Sequence, residues 1–268
     1  MSIIEAIILG ILQGLTEFLP VSSSGHIELG KALLNVQGAD DATFTIIVHG
    51  ATVLSIIVVF WKTIWELIQG FFRFKWDEET QYIAKLAISM LPVGLVGVFF
   101  EDQINALFEG RIVMVGCFLI LTGGILFLTK LERKETKEVG FKDALIIGLT
   151  QAVAILPGIS RSGTTISTAL ALGVSRTAAT KFSFLMVLAP ILGATILKFK
   201  DLMEESAVGG SQDIAMLPYI AGFVAAFLSG VLACNWMIAL VKGGKIIYFS
   251  IYCFIAGAIA IGYGMFFM

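Results

Sequence analysis

The stretch Gln13-Gly14-Leu15-Thr16-Glu17-Phe18-Leu19-Pro20-Val21-Ser22-Ser23-Ser24-Gly25-His26 decides the fold. It closes an apolar run, residues 3–19, with a proline, then sets three hydroxyls, a glycine and an imidazole in a row. A related break, Pro157-Gly158-Ile159-Ser160-Arg161-Ser162-Gly163-Thr164-Thr165, closes a second apolar run at residues 144–156. Both runs are short of the about 20 residues that a helix needs to cross a bilayer. Each reads as a half-helix that stops inside the membrane and turns back. Irregular backbone at that depth is tolerated only where protein or water covers it.

The rest of the chain supports that setting. Of 268 residues, 57% are hydrophobic and 14% charged, against roughly 25% charged in a soluble domain. The apolar runs are continuous rather than alternating, which selects helices over a barrel. Six stretches are long enough to span: 44–61, 83–100, 112–128, 182–197, 217–241 and 247–267. The expected fold is an all-α integral membrane protein with six transmembrane helices and two re-entrant helical hairpins. Three cysteines, Cys117, Cys234 and Cys253, sit in apolar runs without metal-ligand spacing. The N-terminus lacks a basic region and carries Glu5, unlike a cleaved signal peptide. No basic cluster interleaved with aromatics points to nucleic acid, and no charged stretch is long enough for a soluble domain.

The two halves match at one constant offset of 138. Gly10-x-x-Gln13 pairs with Gly148-x-x-Gln151, Val21-Ser22-x-Ser24-Gly25 with Ile159-Ser160-x-Ser162-Gly163, and Phe44-Thr45 with Phe182-Ser183. The chain therefore reads as a single membrane domain, 1–268, made of two repeats at about 1–130 and 140–268. Three spans per half is an odd number, so the second copy is inverted, and inverted repeats bring their broken helices together near the midplane. Positive residues orient it. Loop 62–82 holds Lys62, Arg73 and Lys75, and loop 129–143 holds Lys130, Arg133, Lys134, Lys137 and Lys142. Loop 101–111 sets Arg111 beside Glu101, Asp102 and Glu109. The positive loops are placed in the cytoplasm and 101–111 outside. Lys242 and Lys245 then fall inside. Lys198 and Lys200 fall outside, against the rule, beside Asp201, Glu204 and Glu205. Trp61, Trp65 and Trp76 fit a cytoplasmic interfacial belt.

Polar groups at membrane depth are functional candidates by default. On a helix, Gly10, Gln13, Gly14 and Glu17 share one face. The glycines alone would read as a packing stripe; the carboxylate does not. Ser22, Ser23 and Ser24 precede a short helix at about 27–34. One serine there is a plain cap, but three with His26 suggest a catalytic turn whose free N–H groups attract an anion. Arg161 is permanently charged and its planar fork suits phosphate oxygens. Internal pairing with Glu17 is the plainer reading of it. Ser160, Ser162 and Thr165 offer hydroxyls, and Gly158 and Gly163 let backbone N–H groups approach. His49, one turn from Thr45, is either a further site residue or a buried hydrogen-bonding group. Arg176 and Lys181 read as interfacial anchors, and Pro92, Pro190 and Pro218 as helix kinks or starts.

Gln13-x-x-x-Glu17, the following Pro-Val-Ser-Ser-Ser-Gly-His, and Pro157 to Thr165 resemble the signatures of the undecaprenyl-diphosphate phosphatase family, also called bacitracin-resistance proteins. The resemblance covers essentially the whole chain, including Gly173-Val-Ser-Arg-Thr-Ala-Ala179. It implies a bacterial inner-membrane enzyme, opening to the periplasm, that removes the terminal phosphate of undecaprenyl diphosphate. The product is the lipid carrier for cell-wall synthesis, and the family gives bacitracin resistance. It implies a polyprenyl diphosphate and membrane lipids as partners, leaves a homodimer open, and calls for a divalent cation, Mg²⁺ or Ca²⁺. Matched residue by residue, Glu17 falls on the essential acid, His26 on the essential histidine, Ser23 on the proposed nucleophile and Arg161 on the phosphate-binding arginine. Gln13 stands where many relatives carry Glu, beside Glu17 as a metal ligand, which removes one carboxylate. Either His26 or Glu17 could take the serine proton.

A lipid flippase or a transporter for an anionic substrate shares the expected architecture. It would need Arg161 but not Glu17, Ser23 and His26 together. A prenyl-chain synthase fits poorly, because Asp40-Asp41 is not followed by a further Asp of a metal-binding cluster.

Overall fold

The computed structural model describes residues 1–34, 36, 40–100, 112–131, 137–193, 195–196, 200 and 216–266. Within them the chain is helical throughout, apart from turns and one isolated bridge between Lys137 and Val174. The helices are α1 (Ile3–Phe18), α2 (Ser23–Leu34), α3 (Asp40–Val59), α4 (Trp61–Phe71), α5 (Glu78–Phe99), α6 (Ile112–Phe127), α7 (Phe141–Val153), α8 (Arg161–Ala171), α9 (Arg176–Leu185), α10 (Met216–Lys242) and α11 (Ile247–Phe266). The charged positions 101–111, Arg133, Lys134, Lys198 and 201–205 lie outside the described residues, as do the side chains of Asp40 and Asp41.

Helices α5, α6, α10 and α11 are long and apolar enough to cross a bilayer, and α3 with α4 makes a fifth if counted as one bent unit. The protein is a multi-pass membrane protein. Their outer faces follow helical periodicity: on α10, Ile220, Val224, Leu228 and Leu232 recur every fourth residue and are exposed. The opposite face is small, with Gly222, Ala226, Ser229, Gly230 and Ala233 buried. Lipid supplies no hydrophobic drive between helices, so close approach of small residues does the packing. Helix α1 lies against this face of α10. A β-carbon added at Gly14 would run into the Ser229 hydroxyl and the Ala226 carbonyl. The small-residue reading of Gly10 and Gly14 thus holds, on the same helix that carries Gln13 and Glu17.

The starts of α1 and α7 are capped. Ser2 Oγ accepts from the Glu5 N–H at 3.3 Å while the Ser2 N–H donates to Glu5 at 2.8 Å, the reciprocal capping box. Asp143 accepts from the Gly140 N–H at 2.9 Å and from Lys137 Nζ at 3.0 Å, fixing the entry to α7.

Three expectations are corrected. The stretch 44–61 is not helical to its end: α3 runs unbroken to Val59, and the chain then bends by 80° into α4. Beyond the bend Trp61 and Trp65 stack with centroids 6.1 Å apart and stay exposed, which suits an interface. The stretch 182–197 is not continuous either. Helix α9 begins earlier, at Arg176, and ends at Leu185; Met186 and Val187 form a turn before residues 188–193 become helical again. Pro190 explains the break, because it cannot donate to the carbonyl four residues back, at Met186, and its ring crowds that carbonyl. Finally, α2 starts at Ser23 rather than about 27, so Ser23, Ser24, Gly25 and His26 form its first turn.

Candidate active site

Both breaks turn into helices by the same local chemistry. Ser22 and Ser160 sit just before α2 and α8. Ser22 Oγ accepts from the Gly25 N–H at 3.3 Å, and Ser160 Oγ from the Gly163 N–H at 3.1 Å. Ser22 Oγ lies 3.3 Å from Ser24 Oγ, and Ser160 Oγ 3.3 Å from Ser162 Oγ. The breaks also touch reciprocally. A β-carbon at Gly25 would come within 3.3 Å of Gly158, and one at Gly163 within 3.2 Å of Pro20 Cβ; these positions exchange at the offset of 138. Two residues bear the conformational load. Gly158 has φ +99° and no room for a side chain against Val115. Ser22 has φ 69°, a left-handed conformation uncommon outside glycine and typical of functional turns.

Ser23 and Arg161 are the first residues of α2 and α8, and both reach Glu17. The Glu17 carboxylate is nearly sealed, its side chain 3% exposed. Arg161 Nη2 donates to Oε1. Ser23 Oγ donates to Oε2 at 2.7 Å, and Gln13 Nε2 donates to the same oxygen at 2.9 Å. His49 Nε2 stands 4.0 Å from Oε2, while its Nδ1 lies 2.8 Å from the Thr45 carbonyl. A carboxylate at this depth is tolerable only with such a set of charged and hydrogen-bonding partners.

These groups open onto a cavity of about 400 Å³. Glu17, Ser22, Ser23, Ser24, His49, Ser160, Arg161 and Ser162 are among its polar lining residues. Ile46, Val93, Ala154, Ile155, Ile159, Val187 and Ile191 are among its apolar ones. The broken end of α9 therefore forms wall, with Pro190 part of the lining.

Not every expected site residue reaches the cavity. Thr165 is 1% exposed; its hydroxyl lies 2.9 Å from the Arg161 carbonyl and 2.6 Å from Ser183 Oγ, so it braces α8 against α9. The Gly163 N–H serves the Ser160 cap, and Gly158 serves the turn. His26 lies outside the lining. Its Nδ1 is 2.9 Å from the Ser22 carbonyl and its Nε2 2.7 Å from the Tyr252 hydroxyl, with the two rings stacked. The imidazole thus ties the first break to α11, and the carboxylate is what touches Ser23.

Some participants were missed in the sequence. Thr122, in the middle of α6, accepts from the Ser160 N–H at 3.0 Å and donates to the Gly158 carbonyl at 3.0 Å, holding the second break. Tyr252 holds His26. Their only signal was a polar atom within an apolar span. Arg176 and Lys181, expected as anchors, reach the Lys242 carbonyl at 3.3 Å and the Tyr82 ring at 5.3 Å.

A divalent cation would need oxygen ligands here. Glu17 supplies one carboxylate, and the Gln13 Oε1 beside it is buried without a hydrogen-bond partner among the described residues. Among the described residues no three His, Cys, Asp or Glu cluster. That set does not make an all-protein cage. It does fit an ion such as Mg²⁺, which binds through one or two carboxylates and takes its other ligands from phosphate and water.

Fold and site together define a multi-pass membrane protein whose hydroxyl, carboxylate and guanidinium cluster opens onto a cavity lined also by apolar side chains. Residues 6–259 match the family model of the bacitracin resistance protein BacA, and the chain belongs to that family. It is 50% identical over 258 residues to an undecaprenyl-diphosphatase of Bacteroides fragilis (strain YCH46), covering 96% of both chains. It is 51% identical to the undecaprenyl-diphosphatase of Bacteroides thetaiotaomicron over 96% of this chain and 97% of the relative. The undecaprenyl-diphosphatase of Methanococcus vannielii is 40% identical over 97% of this chain and 99% of its own length.

Proposed function

We propose that this chain is an undecaprenyl-diphosphatase: it hydrolyses undecaprenyl diphosphate to undecaprenyl phosphate and inorganic phosphate. The observation that carries this is the Ser23–Glu17 hydrogen bond of 2.7 Å beside Arg161. A binding or transport site has use for the guanidinium, but not for a hydroxyl whose proton already points at a buried carboxylate.

Ser23 is the nucleophile and Glu17 its base. As Ser23 Oγ bonds to the terminal phosphorus, its proton passes to Glu17 Oε2, and the bond from that phosphorus to the bridging oxygen breaks. Undecaprenyl phosphate leaves. Water then attacks the phosphoserine, giving inorganic phosphate and restoring the serine. Phosphoryl transfer depends chiefly on positioning and charge neutralisation. Arg161 leaves Glu17 for the phosphoryl oxygens, and the N-termini of α2 and α8 add oriented N–H groups. Ser24, Ser160 and Ser162 are within the same cavity wall as further donors. His26 positions Ser22, and so Ser23, from outside the cavity. Mg²⁺ or Ca²⁺, held by Glu17 and the Gln13 amide oxygen, would neutralise charge on the diphosphate. The apolar lining residues receive the first isoprene units.

The two halves act as inverted copies, a reading supported by the paired caps and the reciprocal Gly25–Gly158 and Gly163–Pro20 approaches. The chain resides in the bacterial inner membrane with the site facing the periplasm, following its basic loops, and returns the lipid carrier to cell-wall synthesis.

The test is release of inorganic phosphate from undecaprenyl diphosphate by the purified protein in detergent, where transport cannot be scored. Release that vanishes in Ser23→Ala and Arg161→Ala, with folding intact, is the expected result. A purified, folded, metal-supplied protein that releases none would overturn the proposal.

A further inference from the structure

Gln151 is the counterpart of Gln13 at the offset of 138, but its surroundings differ. Gln13 has Glu17 four residues on and donates to it at 2.9 Å. Gln151 has Ile155 at that place. Its side chain is 1% exposed, and among the described residues neither its Nε2 nor its Oε1 has a hydrogen-bond partner. An amide left wholly unsatisfied in a buried position is strongly unfavourable, and each such group in a folded protein calls for an explanation. Gln151 also lines the cavity that holds Arg161 and Ser23.

We infer that Gln151 is a substrate-binding residue that holds the lipid-side phosphate of the diphosphate. Its two N–H groups donate to phosphate oxygens, so the ligand supplies the acceptors that the protein leaves open to Nε2. The assignment to the lipid-side phosphate follows from what adjoins it. Ala154 and Ile155, three and four residues along the same segment, line the cavity, as does Val93 of α5, which packs against α7. Ser23, Glu17 and Arg161 gather around the phosphate that is transferred. Gln151 therefore shares its stretch of wall with apolar residues, which puts it beside the phosphate that stays on the prenyl chain. A neutral amide suits that place, since it binds the monophosphate product without the full charge attraction that would hold it back.

The inference rests on the phosphatase reading, and one set of measurements separates the two. Wild-type protein, Gln151→Met and Gln151→Asn are assayed for phosphate release from undecaprenyl diphosphate. Inhibition by undecaprenyl phosphate and by inorganic phosphate, and thermal unfolding in detergent, are followed alongside. Methionine keeps the shape and removes the amide, so unfolding at or above the wild-type temperature is expected. KM should rise about 10- to 100-fold, the loss of a hydrogen bond to a charged group. The inhibition constant of undecaprenyl phosphate should rise by a similar factor, while that of inorganic phosphate stays unchanged. Wild-type constants in a folded Gln151→Met overturn the inference and leave the phosphatase reading standing. So does a rise confined to inorganic phosphate inhibition. Absence of phosphate release by the wild type sinks the underlying reading instead. If the methionine variant does not fold, Gln151→Asn, which retains an amide but retracts it, carries the same expectations. Unchanged constants there overturn the inference.

Discussion

The carboxylate of Glu17 accepts a hydrogen bond from the guanidinium of Arg161, 144 residues further along the chain. One comes from the first half-helix and the other from the second break. Their pairing brings the two halves onto one site and keeps both charges tolerable until a diphosphate arrives.

Breaking that pair from one side should be costly. Arg161→Met leaves a buried carboxylate without its cation, and Glu17→Gln leaves the cation alone. Removing one partner of a buried pair costs about 3–5 kcal/mol. With the Arg161 side chain 24% exposed, about 2–3 kcal/mol is expected here. The double variant should recover most of that in thermal unfolding, yet all three should release no phosphate. A stable but inactive double variant separates the structural from the chemical role. Full stability in both single variants would refute the pair's structural importance.

Ser23→Ala should lose at least about 1,000-fold in turnover while unfolding normally, because among the described residues no other hydroxyl hydrogen-bonds to Glu17. With substrate labelled at the terminal phosphate, acid quenching of the wild type should leave label on the peptide that contains Ser23. Turnover near the wild-type rate in the alanine variant would remove Ser23 as nucleophile.

Tyr252→Phe deletes the 2.7 Å contact to His26 and leaves the stacked ring. A lost neutral hydrogen bond is worth about 1 kcal/mol. The expected consequence is a several-fold fall in kcat with KM nearly unchanged, since His26 positions the turn rather than the substrate. A change in KM alone would argue that this pair contacts substrate.

Chelation of divalent ions should stop phosphate release without lowering the unfolding temperature. Arg161 already balances Glu17 in the resting protein, so the fold has no need of the ion. A large drop in stability on chelation would instead make the metal structural.

Packing gives a fifth expectation. Gly14→Ala forces a methyl group into Ser229 and the α10 backbone, and should destabilise by about 1–3 kcal/mol. Gly94→Ala, where an added β-carbon meets nothing within 4 Å, serves as the neutral comparison. Equal thermal shifts in the two would contradict the tight α1–α10 seam.

The sequence by itself determined the solvent and the punctuation. Continuous apolar runs define a membrane protein, Pro20 and Pro157 mark the breaks, and the polar residues around them name Glu17, Ser23 and Arg161, because charge at membrane depth is rarely idle. Local chemistry of this kind is written in neighbouring residues. Tertiary structure alone decided what those groups touch. It divided the stretch 182–197 at Met186–Val187, turned His26 toward Tyr252, 226 residues away, and brought Ser23 to Glu17. It left Gln151 without a hydrogen-bond partner among the described residues although Gln13 has one. The reason is physical: a helix period fixes which face a side chain occupies, but a hydrogen bond forms only when two segments distant in sequence are packed to within 3 Å, and no local pattern records that distance.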